Sequence, residues 1–211
     1  MLDRTVRRAI DPMLNAIAAK IVRAGGSANA VTWAGFALAM AAAGFIAVQM
    51  FWAGLALLLA SRLCDGLDGP VARAAGGGTD LGGFLDIVLD FAFYGAIPLA
   101  FIVADPSGNA ISGGVLLLAF YVNGASFLTY ALMAEKRGVS AEARGSKALL
   151  YTAGLAEGTE TILVFVAMCL LPGLFAWLAY GFAAVTVATT ATRFVMAYSA
   201  FGASSDEVSR R

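Results

Sequence analysis

Residues 64–90 read CDGLDGPVARAAGGGTDLGGFLDIVLD, a glycine-rich, acidic stretch set between two apolar runs. Asp68, Gly69 and Ala72 follow Asp65 at spacings of three, four and seven, which return to the same side of a helix. Gly82, Asp86 and Asp90 do the same on the helix that follows. The glycines at 76–78 permit a tight turn between the two, so the helices are expected to be antiparallel neighbours with opposed aspartate faces. The stretch predicts a helical pair that gathers carboxylates at one end.

The rest of the chain says where that end lies. Of 211 residues, 60% are hydrophobic and 13% charged, and the mean hydropathy is +0.81. Soluble domains carry roughly a quarter charged residues, so a membrane protein is the reading. Apolar spans at about 30–49, 51–73, 82–104, 111–135, 148–171 and 173–200 each approach the ~20 residues that cross a bilayer. The expected fold class is all-α integral membrane, with six transmembrane helices and no length left for a soluble domain. Ahead of them, Leu2, Val6, Ile10, Leu14, Ile17 and Ile21 form an apolar stripe, with Arg4, Arg7, Arg8, Lys20 and Arg23 mostly off it. That is a basic amphipathic juxtamembrane helix suited to an anionic lipid surface, not a secretory signal. Asp11 and Pro12 are expected to punctuate it as N-cap and first helical residue.

The cations orient the spans. Arg73, Lys136, Arg137, Arg144, Lys147, Arg210 and Arg211 fall with the N-terminal arginines on one side, whereas the opposite loops carry only Asp105. The positive-inside bias then puts both termini, and the aspartate stretch, in the cytoplasm. Cys64 and Cys169 fall near opposite faces and are expected to stay unbridged. The sequence has no histidine, which excludes a histidine base or metal ligand.

Four carboxylates at a membrane boundary repel one another and are costly to desolvate. Arg62 and Arg73 are the cations near in sequence, too few to neutralise them. All-oxygen ligands suit hard cations such as Mg²⁺, Mn²⁺ or Ca²⁺, and two such ions sharing aspartates form a clamp for in-line phosphoryl displacement. Gly69, Ala72 and Gly82, on the carboxylate faces, leave room for close approach of a diphosphate or a base, or simply for tight helix packing. An ion-coupled transporter is the rival reading of intramembrane carboxylates. It would place them near the midplane on repeated, broken helices, and no repeat is evident here.

These residues resemble the CDP-alcohol phosphotransferase family. Its signature, D-x-x-D-G-x-x-A-R, eight residues, G-x-x-x-D-x-x-x-D, is matched by Asp65, Asp68, Gly69, Ala72, Arg73, Gly82, Asp86 and Asp90 without a change in spacing. The resemblance implies that Asp65, Asp68, Asp86 and Asp90 bind two divalent cations, Mg²⁺ or Mn²⁺, and that Asp90 is also the catalytic base. Gly69, Ala72, Arg73 and Gly82 would shape the cytidine nucleotide pocket. A phosphatidyl group would pass from a CDP-linked lipid, CDP-diacylglycerol, to the hydroxyl of a small polar acceptor, with release of CMP in phospholipid biosynthesis. The resemblance further implies a homodimer in the inner membrane, with no nucleic-acid partner. The domain so implied covers residues 25–203, between the juxtamembrane helix (1–24) and a polar tail (204–211).

Two stretches depart from the family's pattern. Relatives have Pro-Asn-x-x-Thr before the first span, whereas this chain has Ala28 with Asn29 and Thr32 retained, leaving Thr32 a nucleotide-pocket candidate or a plain helix-start residue. Branches that use inositol phosphate carry cations where Ala131 and Gly158 stand here, which argues against that acceptor. Lys147 and Arg193 would bind an acceptor phosphate, as of glycerol 3-phosphate, or snorkel to the interface. Glu157 and Glu160 would receive the ammonium of an amino alcohol, or pair with Arg193, Lys147 or Arg144.

Overall fold

The computed structural model describes residues 2–137 and 158–202, all of them helix or short connection. Seven α-helices follow in order: α1 Leu2–Arg23, α2 Ala28–Ala47, α3 Phe51–Ala74, α4 Asp80–Ala104, α5 Pro106–Lys136, α6 Gly158–Leu170 and α7 Phe175–Phe201, the last entered through a 3₁₀ turn at Pro172–Leu174. Among the described residues, α2, α4, α5 and the Pro172–Phe201 segment are long and apolar enough to cross a membrane. Helix α3 has the length, but Arg62, Asp65, Asp68 and Arg73 interrupt its apolar character. This is an all-helical integral membrane fold.

Local chemistry sets the helix ends. The Ser27 and Thr79 hydroxyls accept from the Ala30 and Gly82 amides at 3.3 and 3.0 Å and cap α2 and α4. Gly76 (φ +106°) and Gly77 (φ +131°) take up left-handed backbone between α3 and α4, the turn the sequence predicts. At the opposite end the α4–α5 break shrinks to Asp105, whose side chain accepts from the Gly108 amide. That bond first, and a second from the Ser107 hydroxyl, hold the Asp105 carboxyl below its usual range. One expectation fails: α1 runs unbroken through Pro12 instead of restarting there. Proline loses the amide that would bond one turn back and its ring crowds the carbonyl there, a cost this helix bears without ending.

Helix α2 packs on α3 and α4, α1 lies along α3, and α5 joins α4 to α7, with α6 touching α3 and α7. Lipid tails are as apolar as leucine, so close packing rather than water exclusion has to hold such helices together. Phe51, Phe101 and Phe175 stack at centroid distances of 5.7 and 4.8 Å, and Phe93 meets Phe165 edge-on at 5.7 Å. Gly35 of α2 brings its backbone against Ser61 and Cys64 of α3. Trp52 and Trp177, both at helix starts on the end away from the aspartates, are largely exposed and suit a membrane–water interface. Cys64 and Cys169 are both free thiols.

Candidate active site

The Gly76–Gly77 turn joins α3 to α4, but the expected antiparallel pairing does not form: α2 packs against both helices, and only side chains reach from α3 to α4, where the aspartates of the two gather. Asp65 of α3 and Asp90 of α4 both reach the Arg62 guanidinium. Three of the aspartates are held by particular neighbours. The Thr32 hydroxyl of α2 donates to Asp68 Oδ2 at 2.9 Å, and the Gly69 amide donates to Asp68 Oδ1 at 2.7 Å. Arg62 Nη1 lies 2.8 Å from Asp90 Oδ1 and 3.4 Å from Asp65 Oδ1. Asp65, Asp68 and Asp90 are half-buried, while Asp86 and Arg73 are exposed.

The expected nucleotide-pocket residues fall on the same rim. A Cβ on Gly82 would sit 3.2 Å from Thr79 Oγ1 and 3.3 Å from Asn29 Oδ1, so the start of α2 closes over the start of α4 at that point. A Cβ on Gly69 would stand 3.5 Å from Arg73 Nη1. Ala72 is half-buried one turn beyond Asp68. Thr32 and Asn29 therefore reach the cluster from a third helix.

Beside the cluster opens a cavity of about 780 Å³, with Asp86 and Asp90 at one wall and Asn123, Thr186 and Arg193 at another. Phe91, Tyr94, Phe120 and Phe127 supply much of the apolar lining. Arg193 is buried on α7, and its Nη1 donates to the Asn123 carbonyl (3.0 Å), to Asn123 Oδ1 (2.9 Å) and to Ser126 Oγ (2.7 Å). The Thr190 hydroxyl adds a bond to Asn123 Oδ1 at 3.2 Å. Arg193 thus joins α5 to α7 inside the bundle and does not snorkel.

Of the other acceptor candidates, Lys147 and Glu157 lie outside the described residues, as does Arg144. Glu160 sits in the first turn of α6 with its Oε2 buried and without a hydrogen-bond partner. The Glu160–Arg193 pair offered as one reading is not formed, because Arg193 is engaged by α5. Gly158 lines the cavity, where a Cβ would stand 3.4 Å from the Tyr94 hydroxyl, so its lack of a side chain bears directly on what the cavity admits. The sequence offers Arg62 only as one of two cations near the aspartates and Asn29 only as part of a motif, and it gives Asn123 no part.

The donor set fits a hard divalent cation, since carboxylates of two helices supply all the ligand oxygens. Among the described residues no three Asp, Glu or Cys side chains converge as a ready-made cage. Arg62 engages Asp65 and Asp90, and Thr32 and Gly69 engage Asp68.

A helical membrane fold that gathers four aspartates beside a polar-ended cavity defines a membrane-embedded transferase. Residues 26–189 match the CDP-alcohol phosphatidyltransferase family model, and the chain belongs to that family of phospholipid-biosynthesis enzymes. It is 44% identical over 198 residues to the inner membrane protein YnjF of Escherichia coli (strain K12), a match covering 94% of this chain and 96% of that protein. Among solved structures, the phosphatidylinositol phosphate synthase PgsA1 of Mycobacterium tuberculosis with CDP-DAG bound aligns with a TM-score of 0.65 at 21% identity, over 89% of this chain and 94% of that one. The same synthase in complex with manganese and citrate aligns with a TM-score of 0.72 at 23% identity, over 88% of each chain. At these identities the likeness concerns the fold.

Proposed function

We propose that the protein moves a phosphatidyl group from CDP-diacylglycerol to the hydroxyl of a small polar acceptor, releasing CMP. The observation that carries this is the placement of Asp90, which belongs to the carboxylate cluster and also lines the neighbouring cavity. A group in both positions can take a proton from a hydroxyl held in the cavity while the diphosphate lies along the cluster. The solved relative bound to CDP-DAG supports the donor, and the one bound to manganese supports the cation.

Asp65, Asp68, Asp86 and Asp90 would hold two divalent ions, Mg²⁺ or Mn²⁺. Such ions neutralise charge developing on phosphate oxygens during displacement. Thr32 keeps Asp68 turned toward the site, and Gly69, Ala72, Arg73 and Gly82 leave a path for the cytidine along the rim. Asp90 accepts the proton of the acceptor hydroxyl. The oxygen so freed attacks the lipid-linked phosphorus, the bond to the CMP phosphate breaks, and CMP departs with the bonding pair. A proximate base and an oriented hydroxyl turn a bimolecular step into a local one.

The acceptor is read from the cavity. Gly158 leaves it without the cation that inositol phosphate branches are expected to use, and Arg193, bound by Asn123 and Ser126, is the cation in its lining. Glycerol 3-phosphate or an amino alcohol fits this better than inositol phosphate. Six spans, α2 to α7, with both termini and the site on the cytoplasmic side of the inner membrane, complete the reading, as a homodimer whose transferase domain spans 25–203. The inner-membrane name of the 44% identical relative supports the location. The test is purified protein with radiolabelled CDP-diacylglycerol, Mn²⁺ and a panel of acceptors. Acceptor-dependent CMP release that vanishes in Asp90→Asn is expected. Persistence of release in that variant would overturn the base assignment.

A further inference from the structure

Arg62 stands inside the aspartate cluster although neither the family signature nor the transfer chemistry gives it a part. Its side chain is only 11% exposed, and one nitrogen, Nη1, contacts Asp90 Oδ1 of α4 and Asp65 Oδ1 of α3. Nη2 donates to the Ser61 hydroxyl at 3.2 Å, while Nε is buried without a partner. The guanidinium carbon lies 3.9 Å above the ring centroid of Phe93, a fully buried core residue. The cation is thus pinned between an aromatic floor and two carboxylates from different helices, with one donor left unsatisfied. A guanidinium over an aromatic face, cut off from water, keeps a substantial attraction to the ring, so Arg62 remains in place without its carboxylates.

We propose that Arg62 is the resident counter-cation of the site, a positioning residue that bridges Asp65 and Asp90 and competes with a divalent cation for those oxygens. The inference rests on the metal reading above and concerns what the metal must displace. Its ground is that both contacts run through a single nitrogen to one oxygen of each aspartate. A cation bound by those two oxygens has to share them with Nη1 or push it back onto Phe93. The same contact ties the side chain of Asp65 on α3 to that of Asp90 on α4, where two carboxylates would otherwise repel.

The test uses the full chain in detergent. Mn²⁺ is titrated with free ion followed by electron paramagnetic resonance, and thermal melts are recorded in EDTA and in saturating Mn²⁺. Arg62→Met removes the charge and keeps the length, and is expected to tighten Mn²⁺ binding by about tenfold or more, since even water-like screening leaves ~2 kcal/mol between a divalent and a unit charge ~4 Å apart. It should also lower the melting temperature in EDTA more than in Mn²⁺. Arg62→Gln, which still donates a hydrogen bond, carries the same expectation if Arg62→Met does not fold. Unchanged or weaker Mn²⁺ binding in the variants, while the wild type binds Mn²⁺, overturns this proposal alone. A wild-type protein that takes up no Mn²⁺ overturns the metal reading and the competition with it. The EDTA melts separate the two: there Arg62→Met should cost less stability in an Asp90→Asn background, whether or not metal binds.

Discussion

Gly35 offers the sharpest test of how the bundle sets the site. A Cβ there would lie 2.9 Å from Cys64 Cβ, 3.4 Å from the Ser61 carbonyl oxygen and 3.7 Å from the Asp65 amide nitrogen. Carbon–carbon contacts are comfortable at ~3.5–4.0 Å, so Gly35→Ala must push α2 and α3 apart by about 0.6–1.1 Å. The obstacle is a Cβ fixed to the backbone, so a rotamer change cannot relieve it. Overpacking of this kind costs about 1–3 kcal/mol of stability. The displacement falls at the turn that carries Asp65, and it separates Thr32 from Asp68, which now sit 2.9 Å apart. A misplacement of ~1 Å can lower a rate by about a hundredfold, so CMP release should fall by about ten- to a hundredfold. The assay is steady-state CMP release with the acceptor that the panel identifies, alongside a thermal melt. Cys64→Gly removes the opposing Cβ and should restore much of both losses in Gly35→Ala, although glycine inside a helix itself costs ~1 kcal/mol. A Gly35→Ala protein that melts and turns over like the wild type would refute the reasoning. So would a double variant whose losses are the plain sum of the two singles, because sites in contact have to couple.

Three further outcomes follow from the site. Thr32→Val keeps the shape but removes a hydrogen bond to a carboxylate, a contact worth ~1.5–3 kcal/mol, so the KM for CDP-diacylglycerol should rise by about tenfold or more while the fold persists by melt. Arg193→Met deletes three donated bonds to Asn123 and Ser126 and leaves those oxygens unpaired in the bundle. It should lower the melting temperature and raise the KM for the acceptor more than that for the lipid, and the reverse order would remove Arg193 from the acceptor side. Chelation with EDTA should stop CMP release, with Mn²⁺ or Mg²⁺ restoring it and Zn²⁺ doing so poorly, since the donor set is all carboxylate.

What was legible in the sequence, and what was not, divides along a physical line. The aspartate faces and the Gly76–Gly77 turn follow from spacing within one or two helices, where a period of 3.6 residues and the freedom of glycine fix the answer. The Arg62 contact needed knowledge of how α3 meets α4. The sequence marks Arg62 as a cation near the aspartates, but the Phe93 ring that holds it is 31 residues further along the chain. Asn123 was silent for the same reason: it acquires a role only once α7 brings Arg193 against α5. The break expected at Pro12 overrated a local signal, because a proline removes one helical bond without ending the pattern that surrounds it. Residue chemistry along the chain therefore marks where the carboxylates gather, while most of the groups that engage them or line the neighbouring cavity come from other helices. If so, relatives that keep all four aspartates can still differ in metal affinity and acceptor. The residues to compare would be those at Arg62, Asn123, Gly158 and Arg193, which surround the carboxylates without belonging to their spacing.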